Sequence, residues 1–189
     1  MSALRTVVLA ACGVLAACQA ADAPVMGQAA LQSVALQSSD GRRLSIAGLR
    51  GQPTLLFFGF THCPEVCPLS LYKAVQFKRR LGPLGDRLQV VFVTVDPARD
   101  TPAHLREYLA AFDPGFIGLS GDEAGTRAVA ESLGVTYRRV GEGDAATFEH
   151  TASWFLLGAD GALQDVYGYA LDDREIEARL RARLAVPGE

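Results

Sequence analysis

The sequence predicts an α/β domain with a mixed central β-sheet and an N-terminal hairpin, and three observations predict it. Two apolar runs, 54–60 and 88–95, are each followed by a helical pattern, as in parallel strand–helix–strand units. Turn signals at Asp40-Gly41 and Asp160-Gly161 separate short apolar segments near the two ends. The chain has 189 residues, 49% hydrophobic and 21% charged, which suits one globular core and excludes a disordered chain or a polytopic membrane protein.

The elements follow in order. Residues 1–17 have a short basic start at Arg5, an apolar run from Val7 to Leu15 and small residues after it. That is the build of a secretory signal, and the run is too short for a membrane-spanning helix. Leu15-Ala16-Ala17-Cys18 resembles the bacterial lipoprotein cleavage box, which implies cleavage before Cys18 and a lipid anchor on its sulfur. The alternative is a plain signal cut at a nearby Ala-x-Ala site, which would export the protein equally. Residues 18–30 are rich in Ala and Gln, with Asp, Pro and Gly, and read as a flexible tether, so the folded domain is expected over 31–189. The expected location is outside the cytoplasm, on the periplasmic side, held to a membrane that the sequence does not identify.

Within the domain, Val34–Leu36 and Leu44–Ile46 form the expected hairpin. Thr54–Phe60 reads as a strand buried on both faces. Leu71, Val75 and Leu81 set a helical period after Pro68, a first-turn proline. Leu88–Val95 is the clearest strand, and Thr101-Pro102 caps a helix running to about Phe112. Phe116–Leu119 is a third strand and Asp122–Leu133 a helix stopped by Gly134. Trp154–Leu157 and Leu163–Tyr169 make a second hairpin, and Asp172–Leu184 a terminal amphipathic helix.

The net charge of −3 carries no sign of a nucleic-acid partner. The 18 basic residues include only two lysines, Lys73 and Lys78, a bias that reads as codon usage. Four cysteines are too few and too uneven for a disulfide scaffold. Cys12 lies in the leader and Cys18 in the cleavage box, leaving Cys63 and Cys67 in the domain. These two stand between a buried strand and a helix, where α/β sheets gather functional groups. A helix N-terminus favours thiolate over thiol, and two sulfurs at this spacing can form a redox dithiol or hold a soft metal ion. A structural disulfide is the plainer alternative.

Phe57-Phe58-Gly59-Phe60-Thr61-His62-Cys63-Pro64-Glu65-Val66-Cys67-Pro68 closely resembles the signature of the Sco/SenC family of copper-binding, thioredoxin-like proteins. Val93–Pro102, Gly118–Gly121, Phe148–Thr151 and Trp154–Leu157 resemble further blocks of that family, in the same order. The resemblance covers about residues 31–185. It implies a thioredoxin-like fold and one copper ion, as Cu(I) or Cu(II), held by Cys63, Cys67 and His150. It also implies a metallochaperone that loads or primes the dinuclear copper centre of a respiratory cytochrome oxidase. The implied partners are the oxidase copper-centre subunit, or another copper acceptor, and a thiol reductant of thioredoxin type.

Two sulfurs and an imidazole would leave an open site able to release its metal, unlike the closed shell of structural zinc. Asp96 and His62 are candidates to contact the ligands; for Asp96 and Asp100 a loop-forming role competes. His104 is expected in solvent at a helix start, and Trp154 in the core. A thiol–disulfide reductase working through Cys63 and Cys67 alone is the second reading, and it would not require His150. A peroxidase ranks last, since Phe60 stands where the activating threonine of a Thr-x-x-Cys motif would be.

Overall fold

The computed structural model describes residues 33–185. The leader 1–17, Cys18 and the tether 18–30 lie outside the described residues, as do 31–32 and 186–189.

The chain opens with strand β1 (Leu36–Ser38), which turns through Gly41, at φ 90°, into β2 (Arg43–Leu44). Leu36 faces Leu44 across this antiparallel pair. The second strand is shorter than the sequence pattern suggested. The Ser45 hydroxyl accepts the Gly48 N–H at 3.2 Å and caps a single 3₁₀ turn, Ile46–Leu49, that buries Ile46 and Leu49.

Three parallel strands form the centre: β3 (Thr54–Gly59), β4 (Gln89–Thr94) and β5 (Ile117–Ser120). All six residues of β3 are buried, as its unbroken apolar run demands for a strand covered on both faces. Helix α1 (Val66–Leu81) and the single-turn α2 (Pro83–Asp86) connect β3 to β4. Helix α3 (Pro102–Ala110) connects β4 to β5, its first turn capped by the Thr101 hydroxyl, which accepts from the His104 N–H at 3.2 Å. Helix α1 starts at Val66, two residues ahead of Pro68, so Cys67 belongs to its first turn.

After β5 come α4 (Glu123–Ser132), β6 (Tyr137–Val140), β7 (Thr147–His150), β8 (Trp154–Leu157), β9 (Leu163–Tyr167) and α5 (Asp173–Ala185). Asp122 caps α4 and Gly134, at φ 69°, follows it. The seven-stranded sheet runs β2-β1-β5-β4-β3-β8-β9. Its outer strands β1, β8 and β9 pair antiparallel, so the sheet is mixed. Strands β6 and β7 form a separate two-stranded ribbon that the sequence pattern did not announce. Its burial alternates weakly, and Arg138 and Glu149 face each other on its exposed side, so no apolar stripe marks it.

The topology brings three segments together. Strands β3 and β4 are parallel neighbours, so the loops leaving both emerge at one end of the sheet. Strand β8 runs antiparallel to β3 and begins opposite Phe57, so the segment entering it from β7 arrives at that same end. Among the described residues no helix is long and apolar enough to cross a membrane.

Candidate metal centre

Cys63 sits in the loop after β3, half-exposed, and Cys67 is fully buried in the first turn of α1. Both are free thiols. The Cys67 N–H points at Cys63 Sγ over 3.4 Å. Cys63 is held well below the ordinary thiol value of 9.0, at about 5, chiefly by a hydrogen bond from the Cys67 thiol. Burial opposes this, while backbone N–H groups of Cys67, Glu65 and Val66 at the helix start assist it. Cys67 moves the other way, because it is the donor to Cys63 and is buried. The pair therefore gives up its first proton from Cys63 and holds the second on Cys67.

His150 ends β7 and reaches this pair across 83 positions of sequence, with Nε2 at 3.6 Å from Cys67 Sγ. Its other ring nitrogen, Nδ1, lies 3.1 Å from the Thr151 carbonyl. A carbonyl only accepts, so Nδ1 carries the proton and Nε2 keeps its lone pair toward the sulfur. The ring stands edge-on to Phe57 and Phe60, at centroid distances of 6.0 and 6.1 Å. The Thr151 N–H donates to the Thr136 carbonyl at 3.0 Å, tying the turn after His150 to the start of β6. Phe57 in turn packs on Trp154 at 4.7 Å. The imidazole is thus oriented by backbone on one side and by aromatic walls on the other.

Close approach of Cys67 to the sheet depends on Gly59, the last residue of β3. A Cβ there would stand 2.8 Å from Cys67 Sγ and 2.8 Å from the Phe92 ring. A glycine inside an apolar run is the sequence signal for such an approach. Tyr108, on α3, also borders the site. Burial, and the charges of Cys67, Cys63 and Asp100, push its phenol above the ordinary value. Nothing in the helical pattern of α3 distinguished it.

The second acid of the Asp96–Asp100 loop reaches the cysteine loop. Asp100 is wholly buried and accepts the Thr61 N–H at 3.0 Å, the Thr61 hydroxyl at 2.5 Å and the Thr94 hydroxyl at 2.6 Å. Asp96 directs its carboxylate to Arg99, which also donates to the Ala146 carbonyl at 2.8 Å, just before β7. His62 is exposed, and its Nδ1 lies 3.1 Å from the Thr61 hydroxyl. His104 is half-buried rather than free in solvent, with Nε2 at 3.0 Å from the same hydroxyl.

A family profile described as SCO1/SenC matches residues 27–185. The chain belongs to the SCO1/SenC family. It is 40% identical over 116 residues to a SCO2-like protein of Rickettsia felis, a match spanning 60% of this chain and 57% of that protein. The chain spans little more than half the length of the curated relatives it matches. The copper-bound structure of ScoI from Bradyrhizobium japonicum, at 38% identity, superposes with a TM-score of 0.71 over 79% of this chain and 96% of that one. BsSco, a member of the Sco family of cytochrome c oxidase assembly proteins, superposes at 0.62 with 22% identity, over 81% and 92% of the two chains, and shares the fold. The fold of this SCO1/SenC protein is accordingly thioredoxin-like.

Proposed function

We propose that this SCO1/SenC protein is an exported, lipid-anchored copper chaperone. In this reading Cys63, Cys67 and His150 take up one copper ion and deliver it to, or prime with it, the dinuclear copper centre of a respiratory cytochrome oxidase. The observation that carries the reading is the His150 Nε2 lone pair, aimed at Cys67 Sγ from 3.6 Å beside the Cys63 thiolate. Two thiolates and an imidazole form a soft, three-donor set that suits copper and leaves room for an incoming ligand.

The chain's own groups divide the work. Cys63 is already ionised and half-exposed, so it is the sulfur that meets the arriving ion first. Cys67 must lose its proton as the metal binds, so uptake releases a proton and strengthens as pH rises. Phe57 and Phe60 hold the imidazole edge-on and keep its Nε2 directed inward. Release proceeds by ligand exchange from the exposed Cys63 side to a docked acceptor. Anchoring through Cys18 would keep the domain near a membrane-bound oxidase.

One observation favours a second activity of the same dithiol. A half-exposed thiolate held by a buried thiol is the arrangement for thiol–disulfide exchange. Cys63 would attack a partner disulfide and displace one partner thiolate. Cys67 would then displace the other, leaving a Cys63–Cys67 disulfide that a thioredoxin-type reductant resets.

His150→Ala separates the two. In the reduced full-length protein it is expected to lower Cu(I) affinity by about tenfold or more while leaving disulfide reduction intact. Cu(I) affinity within a factor of two of wild type would overturn the three-ligand site. Loss of oxidase assembly in cells, with reductase activity retained, would assign the cellular role to copper.

A further inference from the structure

Beyond the dithiol, the loop after β3 brings His62 against two further residues of metal-ligating type, Asp100 and His104. His62 comes from the loop after β3, Asp100 from the loop after β4 and His104 from the first turn of α3; the parallel pairing of β3 and β4 places these segments side by side, and their ligand atoms all lie within 4.8 Å of one another. We propose that these three residues form a second metal site, selective for a divalent transition ion with Cu(II) preferred, that uses neither Cys63 nor Cys67.

The carboxylate supplies the first argument. Asp100 is fully buried, and the three donors it accepts from are neutral: one backbone N–H and two threonine hydroxyls. A buried carboxylate without a formal counter-charge is costly, and a cation beside it compensates. Its Oδ2 is fixed by Thr61 N–H and Thr94, which leaves Oδ1 turned toward the cluster.

The convergence of donors supplies the second. The Thr61 hydroxyl lies 2.5 Å from Asp100 Oδ1, 3.0 Å from His104 Nε2 and 3.1 Å from His62 Nδ1. It has a single proton, which goes to the carboxylate. Both imidazoles must then present an N–H to its oxygen in the metal-free protein. An ion at that point takes the two ring lone pairs once each neutral imidazole moves its proton to the other nitrogen, with no net proton lost. Thr61 either rotates away or joins, through its hydroxyl oxygen, as a fourth donor.

Access and donor type complete the case. His62 is exposed and His104 partly so, which opens the site to solvent. Two imidazoles and a carboxylate suit borderline divalent ions, among which Cu(II) binds most strongly, whereas thiolates favour Cu(I). Neither sulfur is needed, so this site stands or falls independently of the chaperone reading.

The test uses the full-length chain carrying Cys63→Ser and Cys67→Ser, titrated with Cu(II) alone. One ion per chain is expected, with pulsed-EPR coupling to two imidazole nitrogens. His62→Asn or His104→Asn added to this background should weaken binding by about tenfold or more and leave one coupled nitrogen. Zn(II) followed by NMR provides a second measurement without new substitutions: the ring signals of His62 and His104 should shift together. Cu(II) binding that responds only to His150→Ala, or Zn(II) shifts that miss both rings, would overturn the site. Either result would leave His62, Asp100 and His104 as a hydrogen-bond network.

Discussion

The two clusters around the short loop Phe60–Cys63 differ more than their nearness suggests. In one lie sulfur, an imidazole and the aromatic rings of Phe57 and Phe60. In the other lie Thr61, His62, His104 and the buried Asp100, joined through one hydroxyl. The first is sparsely hydrogen-bonded. The second is densely bonded and braces the loop. Four consecutive residues, Phe60 to Cys63, contribute to both: Phe60 and Cys63 to the first, Thr61 and His62 to the second.

The largest effect expected from breaking this contrast is in thiol reactivity. The thiolate is the nucleophile, and Cys63 is held at about 5 while Cys67 is raised. Alkylation of Cys63 by iodoacetamide should therefore be insensitive to pH above about 6, halve near 5 and fall about tenfold per pH unit below that. At neutral pH it should outrun Cys67 by about 100-fold or more, read by mass spectrometry of the two peptides. Cys67→Ala removes the largest cause of the depression, so the midpoint should move up toward the ordinary thiol range. A midpoint still near 5 in that variant would assign the effect to the helix N-terminus instead.

The supporting cluster is tested by Asp100→Ala. It strips the acceptor from Thr61 N–H, the Thr61 hydroxyl and the Thr94 hydroxyl, all at a fully buried position. Urea unfolding should show a loss of about 3 kcal/mol or more, since bonds to a buried charge are each worth about 1.5–3 kcal/mol. Destabilisation below about 1 kcal/mol would mean that the loop is held by the apolar cluster alone.

How far the sequence revealed these two clusters follows from the range of their contacts. Cys63 and Cys67 were legible because their spacing and the strand-to-helix junction are local. The central strands were legible for the same reason: an unbroken apolar run such as Leu55–Phe58 has one comfortable place, inside a sheet. His150 was legible only through the resemblance, because the ribbon that presents it, β6–β7, has no apolar stripe to betray it. Asp96 and Asp100 were equally suggestive in the sequence. The parallel pairing of β3 with β4 brings Asp100 onto Thr61, whereas Asp96 meets Arg99 within its own loop. The first turn of α1 shifted from Pro68 to Val66, a small change with a consequence, since it places Cys67 inside the helix and gives Cys63 the Cys67 N–H.

The smallest expected effect sharpens the comparison by elimination. Arg138 and Glu149 face each other across β6 and β7 at 2.7 Å, one residue from His150, and are placed where an ion pair could hold the strand that carries it. Both side chains are more than 60% exposed, at 67% and 62%. An ion pair so open to water contributes about 0–1 kcal/mol. The elements that fix the imidazole lie elsewhere: the Thr151 carbonyl on Nδ1, the Thr136 carbonyl on the Thr151 N–H, and the two phenylalanine rings. Arg138→Gln should thus lower stability by no more than about 0.5 kcal/mol and leave Cu(I) affinity within twofold, even though it alters a closer sequence neighbour of His150 than Phe57 is. A tenfold loss of copper affinity would instead make the ribbon's surface charge part of the ligand's positioning, and the rigid support would then extend past the loop to β6 itself.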